Sequence, residues 1–237
     1  MTKKISRRAM LGTAAVGLTA VAAKTTEAQT ARRTAPRRRR LPNYPNAYYY
    51  KGGTFNEDAA KNAVIELLEY HGYFIYPTFK ENLYVTDFNL GQFTEVGLAC
   101  AMFANKLGGE FSYMLQDLYL MPNQMLPEHW HIKPDNAEIG GPQKDEGWFI
   151  RWGRSYVIGE GEPNLPPEVK VPAIHGDVTV RHCTIADPGD FVGLSRVGSH
   201  HWQFAGKEGV ILTEVANYHD GKSVRFINET ATKAFGN

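Results

Sequence analysis

Short apolar or alternating segments dominate the chain beyond residue 75, and Gly, Pro, Asn or Asp separates each segment from the next. This pattern is typical of β-strands that turn one face to a core. The candidate strands lie within residues 82–91, 94–105, 111–122, 147–162, 177–190 and 209–218. Strands at this density, without heptads or longer repeats, predict two facing sheets, either a β-sandwich or a jelly-roll barrel.

One helix precedes the strands, over residues 56–71. Asn56 can cap it, acidic residues fill its first turn, and Val64, Leu67 and Leu68 recur at helical spacing. His71, near its end, is suited to interact with the negative end of the helix dipole. The sequence therefore predicts an all-β domain over residues 48–237 with one N-terminal helix.

Charge is distributed unevenly along the chain. Residues 1–40 hold eleven of the 26 Lys and Arg residues but one of the 25 acidic residues. The remainder is therefore acidic, which argues against a nucleic-acid partner. The chain also has neither a G-x-G-x-x-G loop nor a G-x-S-x-G elbow, which argues against a dinucleotide enzyme or a serine hydrolase of those types.

The N-terminal segment resembles a twin-arginine export signal over residues 1–28. Arg7 and Arg8 precede an apolar run at residues 9–23, and small residues end at Ala28, a candidate cleavage site. Fifteen apolar residues are too few for a typical membrane-spanning helix. The expected location is therefore periplasmic or extracellular, with no membrane span in the mature protein.

The basic, Pro-containing segment 29–47 is interpreted as a disordered linker, although an arm that binds a surface remains an alternative. Cys100 and Cys183 allow one disulfide in an oxidising compartment. Both lie in apolar strand-like segments, so the sequence favours two buried free thiols.

His129 and His131 are separated by one residue in a segment with strand character. Strand side chains alternate, so both imidazoles face the same side, as a metal site requires. The acidic residues that follow, Asp135, Glu138 and Glu146, are the candidates for a further ligand.

The spacing beyond this pair resembles the first metal motif of the cupins, in which six residues and a Gly follow the ligand Glu. Glu146 fits because Gly153 lies at that distance along a strand-like segment. Glu138 has Asp145 at that position and lies in a loop-like segment. Fourteen residues separate His131 from Glu146, a gap that a hairpin loop can absorb at small entropic cost. The resemblance favours Glu146, and Glu138 remains the alternative.

A second cupin-like motif follows the Pro-Gly-Asp turn at residues 188–190. Gly198 precedes His201 by three residues, a spacing that favours His201 over His200. Adjacent strand residues face opposite sides, so one of the two histidines can readily enter the cavity.

The ligand set implied by both motifs is His129, His131, Glu146 and His201. Three imidazoles and a carboxylate suit one divalent metal ion; Mn is favoured, and Fe, Co, Ni and Zn remain open. The histidines could instead be ordinary core or surface residues. The histidines without evident partners are interpreted as structural: His175, His182 and His219.

Four segments resemble one cupin family more closely, the D-lyxose isomerases, which are sugar ketol-isomerases. They are residues 85–98, 121–131, 144–148 and 186–220. The resemblance covers most of residues 75–226. It departs where family members carry a further acidic segment after the last strand, because this chain ends with a short, differently composed one.

The resemblance implies aldose–ketose isomerisation of a pentose or hexose through an enediol-type intermediate on a divalent metal. Lys144 matches the family's active-site Lys, with Lys133 as second choice. Glu214 is the candidate acid/base, although a rim Glu without a catalytic role remains equally open. Asp220 and Arg225 are candidate ligands of sugar hydroxyls.

Trp130, Trp148 and Trp202 flank the predicted ligands, and strand alternation is expected to direct them away from the cavity into core packing. Two other functions remain open: an exported Fe or Mn cupin oxygenase or oxidase, and a non-catalytic cupin that binds a sugar or a metal. The resemblance also allows a homodimer.

Overall fold

The computed structural model describes residues 40–108, 111–135 and 143–235. The predicted export signal, residues 29–39 of the predicted linker and Glu138 lie outside these ranges. The helices are α1 (Glu57–His71), α2 (Phe79–Asn82) and α3 (Glu229–Ala234). The strands are β1 (Tyr50–Lys51), β2 (Thr54–Phe55), β3 (Leu83–Thr86), β4 (Leu98–Lys106), β5 (Tyr113–Leu120), β6 (Met125–His131), β7 (Glu146–Gly159), β8 (His182–Ala186), β9 (Phe191–Gly193), β10 (His201–Ala216) and β11 (Val224–Phe226).

Nine of the strands form one curled antiparallel sheet. Six of them are neighbours in the order β11-β6-β10-β5-β4-β3, and the other three are β7, β8 and β9. The long strand β10 pairs with β6 through its first residues and with β5 through its last. Its other edge pairs with β7, which in turn pairs with β8 and β9. The expected all-β jelly-roll barrel is therefore confirmed. Among the described helices, none is long and apolar enough to span a membrane.

Helix α1 covers part of the outer face of this sheet. The Asn56 side chain accepts a hydrogen bond from Ala59 N at its start, and Gly72, with φ 71°, ends it in the left-handed conformation. Its buried face packs on the outward side chains of β3, β4 and β5, including fully buried Tyr119. The helix predicted over residues 56–71 begins and ends as its capping residues indicate.

The predicted linker ends earlier than residue 47. Leu41 and Tyr44 pack against the same cluster as α1, and the Tyr44 hydroxyl donates to the Glu66 carboxylate at 2.8 Å. A short 3₁₀ turn, Asn46–Tyr49, then leads into β1. The basic composition that predicted disorder ends at Arg40, and the aromatic residues beyond it have a surface to pack on.

The interior of the barrel is mostly apolar and includes Leu118, Ile150 and Leu212, all at most 2% exposed. Gly153 lies where the pairing of β7 with β10 is interrupted. Its φ is 73°, and a Cβ there would lie 2.1 Å from the Gly209 carbonyl oxygen. The Gly that follows Glu146 at cupin-like spacing is therefore required by the close approach of two backbones.

Candidate metal centre

Three neighbouring strands bring the four predicted ligands together in the barrel. His129 and His131 lie on β6, His201 begins β10 directly opposite His129, and Glu146 begins β7. One potential ligand atom from each residue lies within 4.8 Å of the others, and all four residues are buried. The period-two alternation of β6 places both of its imidazoles on the inner face.

Backbone carbonyls orient two of the rings. His129 Nδ1 lies 2.8 Å from the Pro127 oxygen, and His201 Nδ1 lies 3.0 Å from the Ser199 oxygen. A carbonyl can only accept, so each Nδ1 carries the proton and each Nε2 keeps a free lone pair. This is the tautomer that a metal-binding histidine needs, held by its neighbouring backbone.

A cation fits the space between these side chains. His131 Nε2 and His201 Nε2 lie 2.8 Å and 3.2 Å from Glu146 Oε1. Within the part of the chain that the structure describes, none of these three buried atoms has a hydrogen-bond partner. Buried polar atoms without partners are costly, and a bound cation would satisfy all three. The donor set of nitrogen and carboxylate oxygen suits a first-row divalent metal.

The protonation states also favour metal binding. Burial, together with the neighbouring His201 and His131, holds the pKa of His129 well below its usual range. Burial lowers the pKa of His131 to about 4 despite the nearby Glu146. Burial would raise the pKa of Glu146, but His131 and Lys144 hold it well below its usual range. Neutral imidazoles and an ionised carboxylate are the forms that bind metal.

Lys144 connects the metal-binding cluster to a second carboxylate. Its Nζ lies 2.6 Å from Glu146 Oε2 and 2.5 Å from Glu214 Oε1. Gln116 donates to the other Glu214 oxygen at 3.1 Å. All four side chains are buried, and Gln116 lies directly opposite Glu214 across the β5–β10 pair.

The two partners of this ion pair differ in how they titrate. Burial would lower the pKa of Lys144, but Glu146 and Glu214 raise it above its usual value. Burial raises the pKa of Glu214, and Glu146 adds to the effect although Lys144 opposes it. Lys144 therefore stays cationic, and of the two carboxyl groups that contact it Glu214 is the one that takes up a proton more readily.

A cavity of about 50 Å³ joins these groups inside the barrel. Its polar wall includes His131, Lys144 and Glu214, and its apolar wall includes Phe88 and Phe226. Gln116, Trp148 and His219 also line this cavity, although the sequence did not predict them at the site. The pairing of Gln116 with Glu214 depends on strand register, which the sequence pattern alone does not specify.

The three tryptophans that flank the predicted ligands were expected to pack in the core, away from the cavity, and this expectation is correct for Trp202. Trp202 is fully buried in a separate apolar cluster and donates to the Val180 oxygen. Trp148 instead lines the cavity, with its ring centroid 5.3 Å from that of His201, because it lies two residues from Glu146 and shares its face. Trp130 stacks on the ring of His200, 4.3 Å away, outside the apolar core.

The alternatives to the predicted site residues lie elsewhere. Lys133 and Asp135 are exposed. His200 interacts with the buried Glu128 instead of the metal-binding cluster. Two histidines outside the cluster contact backbone oxygens: the His182 ring lies 2.8 Å from the Glu162 oxygen, and the His71 ring lies 2.8 Å from the Glu208 oxygen.

Neither candidate for binding sugar hydroxyls reaches the cavity. Asp220 caps a 3₁₀ turn, where it accepts hydrogen bonds from Lys222 N and from the Ser223 hydroxyl. Arg225 pairs with Trp130 on the strand face opposite that of Val224 and Phe226, which line the cavity. Strand alternation therefore directs its side chain outward. Cys100 and Cys183 are free thiols; Cys183 is buried and Cys100 partly so.

The barrel and its central cluster of three imidazoles and a carboxylate define the class: a cupin with a site suited to a divalent metal. No protein-family model matches the chain. A D-lyxose/D-mannose isomerase of Thermosediminibacter oceani is 34% identical over 161 residues, 68% of this chain and 84% of that protein. A D-lyxose ketol-isomerase of Cohnella laeviribosi is 31% identical over 160 residues, 67% of this chain and 82% of that protein.

Among solved structures, the L-ribose isomerase of Cellulomonas parahominis with L-ribose superposes with a TM-score of 0.54 at 14% identity. The match covers 75% of this chain and 93% of that one, and it supports the fold. The sequence relatives carry the family assignment: this chain belongs to the D-lyxose ketol-isomerase family. It is accordingly an aldose–ketose isomerase of the cupin fold.

Proposed function

We propose that the protein interconverts D-lyxose or a related aldose, such as D-mannose, with its 2-ketose. Relatives with these substrates in their names support the choice of sugar. The observation that carries the proposal is the ion pair of Lys144 with Glu214, placed against the predicted ligand Glu146 in one cavity. Such a pair provides the proton-handling groups that isomerisation needs beside a metal.

The metal would be held by the four predicted ligands, His129, His131, Glu146 and His201. When bound, it would supply Lewis-acid polarisation of the substrate oxygens on C1 and C2. The Glu214 carboxylate takes the proton from C2 of the aldose and returns it to C1, while the O2 proton passes to O1. Because its pKa is raised, Glu214 accepts a proton more readily than an exposed carboxylate. Lys144 keeps its charge, orients Glu214 and stabilises negative charge that develops on the substrate.

Manganese is the metal we propose, because the Glu146 carboxylate is a donor that suits Mn; the three imidazoles keep Fe, Co, Ni and Zn as alternatives. The test is the metal content of the purified full chain, followed by chelation and reloading with each ion. Reloading with Mn is expected to restore the highest rate of ketose formation. A higher rate with another ion would replace Mn in this proposal.

Isomerisation itself is tested by incubating the metal-loaded full chain with D-lyxose, D-mannose and other pentoses and hexoses. The expected result is ketose formation from at least one aldose, abolished by chelation and restored by metal. About one metal ion per chain with no ketose from any of these sugars would refute the isomerase and leave a metal-binding cupin.

A homodimer is proposed on the basis of an exposed apolar surface on the outer face of the barrel. Val215 lies directly opposite Leu115 and Gly147 in the sheet, and the Phe191 ring lies over Gly147. Leu115 is 38% exposed, Val215 48% and Phe191 61%. A second copy presenting the same surface would cover it through a two-fold axis. Light scattering should give twice the chain mass, and Leu115→Glu should reduce it to one chain.

Export through a twin-arginine pathway is proposed from Arg7, Arg8 and the apolar run that follows them. The experiment is expression of the full chain in a bacterium with and without the pathway. Processed protein in the periplasm of the intact strain alone would support the proposal, and equal export from both strains would refute it.

A further inference from the structure

His219 lines the same cavity as Lys144 and Glu214, although the sequence indicates a structural role. Its Nδ1 is buried and has no hydrogen-bond partner among the described residues. Leaving a buried polar atom unpaired is costly, so such an atom in a cavity wall indicates a ligand or a function. This nitrogen is therefore available to a polar group in the cavity.

The backbone of His219 is held in place by a reciprocal pair of hydrogen bonds. Asn105, near the end of β4, donates to the His219 carbonyl oxygen at 2.9 Å. The His219 N–H donates to the Asn105 side-chain oxygen, also at 2.9 Å. These bonds fix a residue that lies beyond the end of β10, so the ring is presented to the cavity from a defined position.

The charge state of His219 suits hydrogen bonding to an uncharged group. Burial and the neighbouring Lys144 and His131 lower the pKa of His219 to about 3. The ring is then neutral at physiological pH, with one N–H donor and one acceptor nitrogen. A sugar hydroxyl both donates and accepts, so it can pair with Nδ1 in either tautomer.

We propose that His219 is a specificity-determining residue that hydrogen-bonds a sugar hydroxyl through Nδ1. The inference rests on the proposed isomerase function. Glu214 lies within β10, whereas His219 lies three residues past Ala216, where the strand ends. Both residues line the same cavity, so a sugar that reaches Glu214 also comes within reach of His219.

The test is steady-state kinetics on D-lyxose with three variants of the metal-loaded full chain. His219→Phe keeps a ring but removes both nitrogens, and the KM should rise about tenfold, the equivalent of one hydrogen bond of about 1.4 kcal/mol. The kcat and the metal content should stay near those of the wild type. His219→Asn places an amide near the position of Nδ1 and should keep the KM within about threefold of the wild type. His71→Phe, on α1, is the control for a histidine-to-phenylalanine change and should leave the KM unaltered.

An unchanged KM in folded, metal-loaded His219→Phe would overturn the inference. A loss of bound metal, or a fall in kcat at constant KM, would also overturn it, because either places His219 in another role. If His219→Phe does not fold, His219→Gln, whose amide lies near the position of Nε2 instead of Nδ1, is measured by the same criteria: a KM raised about tenfold would support the inference and an unchanged KM would overturn it. If the wild type forms no ketose, calorimetric binding of D-lyxose to the wild type and to His219→Asn and His219→Phe still decides the question separately from the proposed function.

Discussion

Two buried carboxylates, Glu128 and Glu146, lie beside histidines on neighbouring parts of the barrel. Glu128 is adjacent to the predicted ligand His129 but faces the other way. It accepts hydrogen bonds from Thr179 N, from the Thr179 hydroxyl and from His200 Nδ1. Oε1 of Glu146 has no hydrogen-bond partner among the described residues, and neither do the nearest histidine nitrogens, Nε2 of His131 and Nε2 of His201.

The difference separates a carboxylate with a structural role from one that is predicted to bind a metal. Both residues are nearly inaccessible and both have imidazoles within 3.2 Å. Burial and residue type do not distinguish them. The distinguishing feature is whether the polar atoms satisfy one another, as around Glu128, or converge on a space that a cation can fill, as around Glu146.

Among the variants that test this comparison, Glu146→Gln is expected to have the largest effect on bound metal and activity. The amide cannot supply the charged ligand, and it removes the negative charge that lies 2.6 Å from the Lys144 ammonium. Bound metal should fall well below one ion per chain, and activity on D-lyxose should fall by about 10³-fold or more. Metal analysis and kinetics check this, with Glu138→Gln as the matched control. Full metal content in Glu146→Gln would refute the choice of acid.

A smaller effect is expected for Glu214→Gln, which keeps the four predicted ligands. Removing a general acid/base should lower kcat by about 10²–10⁴-fold. The metal content should remain that of the wild type, because Glu214 contacts Lys144 and Gln116 instead of the cluster histidines. Wild-type kcat with normal metal content would leave Glu214 as a cavity-wall residue without a catalytic role.

The metal-free protein should lose stability as the pH falls from about 6.5 to about 4. His131 has its pKa lowered to about 4 by burial, so the unfolded chain takes up a proton in this range before the folded one does. The free energy of unfolding then decreases toward acid, by up to about 3 kcal/mol for His131 alone. The raised pKa of Glu214 opposes the trend.

Urea denaturation of the chelated protein at pH 7, 6, 5 and 4 measures this effect. His131→Gln, which does not titrate, is the control and should flatten the dependence. A midpoint that stays constant from pH 7 to pH 4 in the chelated wild type would contradict the prediction.

The smallest change, and the sharpest contrast, is expected for Glu128→Gln. The amide leaves some of the groups around it, including the Thr179 N–H and His200, without an ideal acceptor. The free energy of unfolding should decrease by about 1–3 kcal/mol. Bound metal and the KM for D-lyxose should be unchanged, which differential scanning calorimetry, metal analysis and kinetics can check together. If the folded Glu128→Gln protein lost its metal, the division into a structural Glu128 and a metal-binding Glu146 would be wrong.

Several features were predictable because they depend on local periodicity. Alternation in β6 places His129 and His131 on one face, and a helical period with caps sets the limits of α1. The four predicted ligands do come together in space, and their role in binding a metal remains a prediction. Alternation also places Trp148 on the same strand face as Glu146, contrary to the expectation that its ring packs away from the cavity.

Other features depend on contacts between segments far apart in the chain. Lys144 meets Glu214 across 70 residues, and Gln116 meets Glu214 across 98. Strand register and order decide such contacts, and a one-residue shift would turn every side chain to the other face. The exposed position of Lys133 and the outward position of Arg225 were likewise decided by where their segments lie in the fold.

The sequence by itself determined the β architecture, the helix, the histidine pair and the Glu–Gly spacing, because each follows from a period or a turn within a few residues. Only the tertiary structure decided that Glu128 is satisfied and Glu146 is not, and that His219 reaches the cavity. Those outcomes depend on which distant donors and acceptors meet in the low-dielectric interior, where an unpaired polar atom is costly and so indicates a site.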